Sequence, residues 1–366
     1  MPVGSAYEHG GNLVRAAEIF QRKSSDFLDF SANINPLGIP AALQAMLVHQ
    51  IGRLRDYPDT EYKALRQALS GYTGLPAENI LPGNGAAEII YLLFQVLKPA
   101  GVLIPVPTFA EYEKSAVCAG ATVYYHALAE ENGFQLDPDR LTIEVARGID
   151  CLMLCNPNNP TSTLLKEPAL VSLIERAGRN HIMVIIDEAF IELTAGSSAN
   201  SMAKWVATRD NLFIIRAFTK IFAVPGLRLG YGLGPRDLIE EMRARQPPWS
   251  VNALAAGAGE YLVQSGSYLQ KTSTWLAAEK EWLAGQLRVM ARLRVFPPET
   301  NFILVKLLEG APSSTVLSRR MGEKGILIRD AANFRALNDR FFRVAVKDRA
   351  SNRRLVEALA EELGRG

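Results

Sequence analysis

The chain is expected to be an α/β protein: a mostly parallel central sheet covered by helices, followed by a smaller α+β module. Three features carry that expectation. Apolar runs without polar alternation recur at VLIPVP (102–107), CLMLC (151–155), MVIID (183–187) and LFIIRA (212–217), and strands lose their alternation when both faces are buried, as in a parallel sheet. Helical patterns separate the runs, at AAEIIYLLFQVL (86–97), ALVSLIERAGRN (169–180) and near 235–246, and parallel neighbours need such crossovers. After about residue 253 the texture changes to long helical periodicity, then to short strands alternating with helices.

Taken in order, residues 1–50 read as an arm and one helix that pack against the C-terminal module. Residues 51–255 hold the sheet, to which ATVYYHAL (121–128) and LRLGYGL (227–233) add strands by their β-branched and aromatic content. Residues 256–366 form the smaller module. After its helical part come strand NFILVKL (301–307), a helix near 313–324, strands ILIR (326–329) and FFRVAV (341–346), and a closing helix. No linker, repeat or low-complexity tract separates the parts, so they are expected to share an extensive interface.

Composition narrows the class. Hydrophobic residues make up 48% and charged residues 21% of 366 positions, enough for a sizeable core. A formal net charge of +2 singles out neither nucleic acid nor an anionic membrane as a partner. The amino terminus MPVGSAYEHGGN carries no apolar signal region, and no run of about 18 apolar residues occurs. A cytoplasmic protein is the expectation. Cys151 and Cys155 share one apolar run, but no further Cys or His stands near to complete a metal site, so the three cysteines read as core residues of a reducing compartment and no metal is expected.

In such a sheet the site forms where loops leave the carboxyl ends of strands. Asn159 in CNPNNPTS (155–162), Asp187 in MVIIDEAF (183–190) and Lys220 in FIIRAFTK (213–220) all fall there, with Arg228 downstream in GLRLG (226–230). A lysine for covalent linkage, a carboxylate to hold a pyridine nitrogen protonated, and a cation with hydroxyls for a phosphate are what pyridoxal 5′-phosphate requires. Asp187 would otherwise be an apolar-strand carboxylate in need of a helix cap or ion pair. GNGAAE (83–88) brings Gly85 and Ala86 to a helix start whose free amides suit an anion, although it is equally a plain strand-to-helix turn. VPTFAEY (106–112) places Phe109 and Tyr112 after a strand, where an aromatic stacks on a flat ring or simply fills the core. Thr219 and Arg228 would be the side-chain ligands of the phosphate. Asn159, stiffened by prolines on both sides, could donate its amide to the phenolate oxygen.

These motifs, together with HGGN (9–12), DFSANINPLG (29–38), YPD (57–59), DEAF (187–190) and PGLRLGY (225–231), resemble the fold-type-I aminotransferase superfamily. Within it the chain is similar to the branch holding histidinol-phosphate aminotransferases and L-threonine-O-3-phosphate decarboxylases. HGGN, SANINPLG, PWSVNALA (248–255) and FFRVAV look specifically like the decarboxylases of cobalamin biosynthesis. The resemblance implies Lys220 as Schiff-base lysine, Asp187 as pyridinium partner, Asn159 as phenolate ligand and Phe109 as stacking residue. Gly85, Ala86, Thr219 and Arg228 would surround the phosphate, with Tyr57 reaching it from the other subunit of a homodimer. Arg343 would clamp the substrate carboxylate, while His9, Asn33 and Arg329 would line the substrate end for a small phosphorylated amino acid.

Three positions depart from the family pattern. Ser162 stands where glycine is common, so that turn is expected to differ slightly. Ala217 replaces a frequent serine, and Phe190 stands where transaminating relatives often carry tyrosine. Transaminase and decarboxylase share all the cofactor residues, so histidinol-phosphate aminotransferase stays open as the alternative. A ligand-sensing regulator is disfavoured by the intact Lys220 and by motifs that begin near residue 9, where a fused DNA-binding module would precede them. A nicotinamide enzyme is disfavoured because no G-x-G-x-x-G opens a βαβ unit.

Overall fold

A computed structural model describes residues 10–141 and 148–364. The first part of the chain holds α1 (Leu13–Phe20), β1 (Leu28–Asp29), α2 (Ala41–Gln50), α3 (Lys63–Thr73), β2 (Ile80–Gly83), α4 (Gly85–Leu97), β3 (Gly101–Val106), α5 (Glu111–Cys118) and β4 (Thr122–Ala127). The middle adds β5 (Cys151–Cys155), α6 (Glu167–Arg179), β6 (Met183–Asp187), β7 (Leu212–Ala217), β8 (Gly230–Leu233) and α7 (Arg236–Arg245). Then follow α8 (Ala253–Leu262), α9 (Gly266–Arg288), β9 (Leu293–Val295), β10 (Phe302–Leu307), α10 (Ser314–Glu323), β11 (Ile326–Leu327), β12 (Arg329–Asp330), β13 (Phe341–Ala345) and α11 (Arg349–Gly364).

Seven strands form the main sheet in the order β2-β8-β7-β6-β5-β3-β4. The pairs among β3 to β7 are parallel, and only β8 runs against its neighbours β7 and β2. Alternate residues of the apolar strands enter two cores. Leu152, Val184, Ile186, Leu212 and Ile214 pack with Leu170 and Leu173 of α6. Cys151, Met153, Ile185, Phe213 and Ile215 pack with Ile89 and Phe94 of α4. Both faces are therefore covered, which is why these strands read as unbroken apolar runs. Among the described residues, no helix is long and apolar enough to cross a membrane.

A four-stranded antiparallel sheet, β12-β13-β10-β9, forms separately. The run ILIR is not one strand. Ile326 and Leu327 pair in parallel with Leu28 and Asp29, whereas Arg329 and Asp330 pair with β13. Both halves are apolar or extended enough to look continuous, but the chain changes sheets at Ile328. Between residues 10 and 50, two helices and a strand likewise stand where an arm and one helix were expected. The long helical stretch from 253 is broken between Leu262 and Gly266 into α8 and α9.

The expected strand at 227–233 starts only at Gly230. A 3₁₀ turn over Pro225–Leu227 precedes it, and Arg228 takes a left-handed φ of 61°, which no strand accommodates. Gly230 then passes so close to the start of α4 that a Cβ would lie 2.5 Å from the Ala86 amide nitrogen. This approach sets the helix start against the carboxyl ends of β6 and β7.

Candidate active site

A cavity of about 370 Å³ opens at the carboxyl ends of β5, β6 and β7, on the face covered by α4. Asn33, Ala86, Phe109, Asn159, Asp187, Thr219, Lys220, Arg228, Arg329 and Arg343 all line it, with Tyr112, Phe190 and Ala217. Ten of the residues singled out in the sequence thus meet in one place. Gly85 stands just behind: with a φ of +76°, its Cα has Arg228 Nη2 at 2.5 Å from where a Cβ would be. Any side chain there would displace the guanidinium. His9 lies outside the described residues. Tyr57 is 80% exposed, its ring 4.5 Å from that of Trp249, and it does not line the cavity.

Asp187 ends β6 and is buried. Its Oδ2 accepts from the Tyr112 hydroxyl at 2.7 Å and its Oδ1 from the Ala189 amide at 2.9 Å. Burial pushes its carboxyl above the usual range, opposed by these two donors. Among the described residues no lysine or arginine pairs with it, so the carboxylate is fixed by neutral donors and could take a cation from a ligand. The Tyr112 bond is invisible in sequence beyond the placement of Tyr112 one helical turn after Phe109.

Lys220 follows β7 after Phe218 and Thr219. Burial holds its ammonium down to about 8, helped by Arg343 and Arg228 and opposed by Asp29. Its backbone carbonyl accepts from the Asn35 amide at 3.0 Å, and Asn35 Nδ2 donates to the Ile221 carbonyl at 2.7 Å and to Thr272 Oγ1 at 2.9 Å. Asn35, rather than Asn33 alone, is therefore what the SANINPLG motif contributes to placing the lysine. A stability consequence follows without the cofactor. Between about pH 8 and the ordinary lysine range near 10.5, the unfolded chain holds a proton at Lys220 that the folded chain lacks. The contribution of Lys220 to folding stability therefore rises with pH across that window. Lys220→Met in the cofactor-free protein is expected to raise the melting temperature at pH 7 and to remove this rise, read by thermal melts from pH 7 to 10.5.

Arg343 on β13 is buried; Nη1 donates to Asn159 Oδ1 and Nη2 to the Ser31 carbonyl at 2.7 Å, with Cζ 5.3 Å above the Phe302 ring. Burial and then Arg329 pull its guanidinium down to about 9, against Asp29. Arg329 is its direct cross-strand partner. Arg329 Nη2 donates to Asn333 Oδ1 at 2.7 Å and its Cζ lies 5.0 Å from the Phe334 ring centroid. Like charges directly opposite each other in a sheet repel, and Arg343 Nε and Asn33 Oδ1 are buried without hydrogen-bond partners. Two facing guanidiniums in one cavity can receive an anion. Asn333 and Phe334 carried no sequence signal, since they act from a loop, and Ser31 was marked only as part of SANINPLG, where its backbone carbonyl does the work.

Ser162 takes the left-handed conformation that a glycine would, with φ 62°. Its hydroxyl accepts from the amides of Glu299 and Thr300 at 3.1 and 2.9 Å. The turn keeps the glycine-like shape, and the serine ties the 155–162 loop to the residues before β10.

Residues 25–359 match the sequence profile of the class I and II aminotransferases. The chain belongs to that family. A threonine-phosphate decarboxylase of Salmonella typhimurium is 38% identical over 97% of the chain and 96% of its own length. A crystal structure described as a histidinol-phosphate aminotransferase from Clostridium acetobutylicum is 34% identical, covers 92% of this chain and 99% of its own, and has a TM-score of 0.86. One described as an L-threonine-O-3-phosphate decarboxylase from Porphyromonas gingivalis is 26% identical over 92% of this chain and 99% of its own, with a TM-score of 0.82.

Pyridoxal 5′-phosphate, the cofactor of this aminotransferase family, fits the residues present. Asp187 offers a buried carboxylate that no cation of the described residues pairs with. The first amides of α4 have no side-chain cap, since Asn84 makes none, and Arg228 is held against Gly85 beside them. Phe109 meets Tyr112 edge-on at 5.5 Å and lines the same cavity.

Proposed function

We propose that this chain is a pyridoxal-phosphate-dependent carboxy-lyase that converts L-threonine O-3-phosphate to (R)-1-amino-2-propanol O-2-phosphate and CO2, in cobalamin biosynthesis. The observation that carries the substrate class is the Arg329–Arg343 cross-strand pair on the cavity wall. Two adjacent guanidiniums match a small molecule bearing a carboxylate and a phosphate on neighbouring carbons. The reaction class rests on the decarboxylase from Salmonella typhimurium and on Phe190, which brings no hydroxyl to the cavity. Transamination of histidinol phosphate is the second reading, favoured by the relative from Clostridium acetobutylicum.

The cofactor, when bound, supplies an acceptor for the electron pair left at Cα when a bond there breaks. The residues of the chain decide which bond that is. In this reading Asp187, held by Tyr112 and Ala189, faces the ring nitrogen and keeps it protonated. Thr219, Arg228 and the Gly85 and Ala86 amides hold the cofactor phosphate, Phe109 holds the ring face, and Asn159 meets the phenolate oxygen. Asn159 Oδ1 already accepts from Arg343, which leaves Nδ2 as its donor and couples the cofactor side of the cavity to the substrate side. Arg343 grips the substrate carboxylate and orients it, so that this bond is the one aligned for cleavage. Asn33, Arg329 and His9 take the substrate phosphate end. Lys220 Nζ, with its pKa near 8, returns a proton to Cα.

The holoenzyme is expected to discriminate strongly for the phosphate. Its kcat/KM for unphosphorylated L-threonine should fall by about 10²-fold or more, because a site that hydrogen-bonds a substrate group discriminates against the analogue lacking it. Equal turnover of both compounds would exclude Arg329 from substrate recognition.

We also infer a homodimer in the cytoplasm, with 51–255 as the cofactor-binding unit, 256–366 as the smaller one, and the preceding residues packed on the smaller unit through the pairing of β1 with β11. The exposed Tyr57–Trp249 pair, with Ile51 and Leu54 exposed beside it in sequence, supports a second copy covering this face and receiving Tyr57 at its cofactor phosphate. The free thiols of Cys118, Cys151 and Cys155 suit a reducing compartment.

A further inference from the structure

The loop between β12 and β13 carries Asn333 and Phe334, which support Arg329 from one side by a 2.7 Å hydrogen bond and from below by ring contact. The next residue, Arg335, reaches across to the seven-stranded sheet. Its Nη2 and Nε donate to Glu113 Oε1 and Oε2 at 2.8 and 3.2 Å, a two-pronged pair. Its Cζ also lies 4.1 Å from the Tyr125 ring centroid on β4. Glu113 sits in the first turn of α5, whose entry carries Phe109. A second cavity of about 370 Å³ shares the wall made by Phe109, Ala110, Asn333 and Phe334. The wall that separates the two cavities is thus held by residues from both sheets.

We propose that Arg335 and Glu113 form a clasp that sets the separation between Arg329 and Phe109, and so fits the site to a short phosphorylated amino acid. This deepens the reading above and rests on it for the identity of the substrate. The fork geometry of a guanidinium on a carboxylate fixes orientation as well as distance, and stacking on Tyr125 removes the remaining freedom of the side chain. Without the clasp, the loop relaxes toward the second cavity, Phe334 no longer backs Arg329, and the anion site widens. Arg335 and Glu113 are positioning residues: neither lines the main cavity.

The test is a double-mutant cycle on the holoenzyme, in which bound cofactor already fills its own phosphate site. Glu113→Gln, Arg335→Gln and the double variant are compared by the Kd for inorganic phosphate, from titration calorimetry, and by KM and kcat for L-threonine O-3-phosphate. Each single substitution is expected to raise Kd and KM by about three- to tenfold, the scale of one two-pronged surface pair with ring stacking. kcat should stay within about twofold, and the double variant should be no worse than the worse single. Arg335→Lys, which keeps the charge but loses the fork, should fall between wild type and Arg335→Gln. Unchanged Kd and KM in the singles, or losses that add in the double, would overturn the clasp. So would a wild-type holoenzyme that binds no phosphate. If wild type binds phosphate but releases no CO2 from the substrate, the proposed reaction fails while the phosphate cycle still decides the clasp.

Discussion

Lys220→Ala is expected to lower kcat for decarboxylation by at least about 10³-fold and to release the cofactor from covalent attachment. The magnitude is that of losing the positioned proton donor together with the nucleophile. The placement argues for both losses at once. Lys220 stands at the end of a turn pinned by Asn35 and Ile221, in the same cavity as Asp187, with its ammonium held near 8. A lysine in that state is about one-tenth neutral at pH 7, far more than an ordinary lysine, as attack on an aldehyde needs. Spectroscopy of the purified variant, with and without borohydride reduction followed by peptide mapping, checks attachment; steady-state CO2 release checks rate. Retained turnover with the cofactor still reducible onto another lysine would remove Lys220 from the mechanism.

The second large effect is expected from Arg343→Ala. Here kcat/KM should drop by about 10²- to 10⁴-fold while cofactor affinity changes little, because the lost contacts are two charge-assisted hydrogen bonds to the substrate, each worth about 1.5–3 kcal/mol, and the alignment they impose. Arg343→Lys should recover only part of the loss, since an ammonium cannot grip a carboxylate in a fork. Part of the effect passes through Asn159, whose Oδ1 loses its donor. A shifted cofactor absorption in Arg343→Ala at unchanged occupancy would report that coupling. Full activity in Arg343→Ala would mean that another group holds the carboxylate.

The fold was legible because burial on both faces writes itself as unbroken apolar strands, as in CLMLC and LFIIRA. Asp187 and Lys220 drew notice as polar residues at or just past the ends of apolar runs, although Arg216 inside LFIIRA, buried and paired with Glu192, shows that such a run can also hold a charge. What escaped the sequence was set by tertiary pairing. ILIR carries no mark of a strand that changes sheets, and nothing in LRLGYGL shows that Arg228 turns left-handed before β8 begins. Asn333, Phe334 and Arg335 lie in a loop without periodicity, so their support of Arg329 depends on where β12 and β13 bring them. Tyr112 was seen only as an aromatic; its hydroxyl matters because β6 delivers Asp187 to it.

The reaction itself is tested most directly by incubating the pyridoxal-phosphate-loaded protein with L-threonine O-3-phosphate and no oxo acid, following CO2 and aminopropanol phosphate together. Many turnovers, with CO2 and the amine in equal amounts, are the predicted result. No CO2, with glutamate formed once histidinol phosphate and 2-oxoglutarate are supplied, would contradict the decarboxylase and make the enzyme a transaminase.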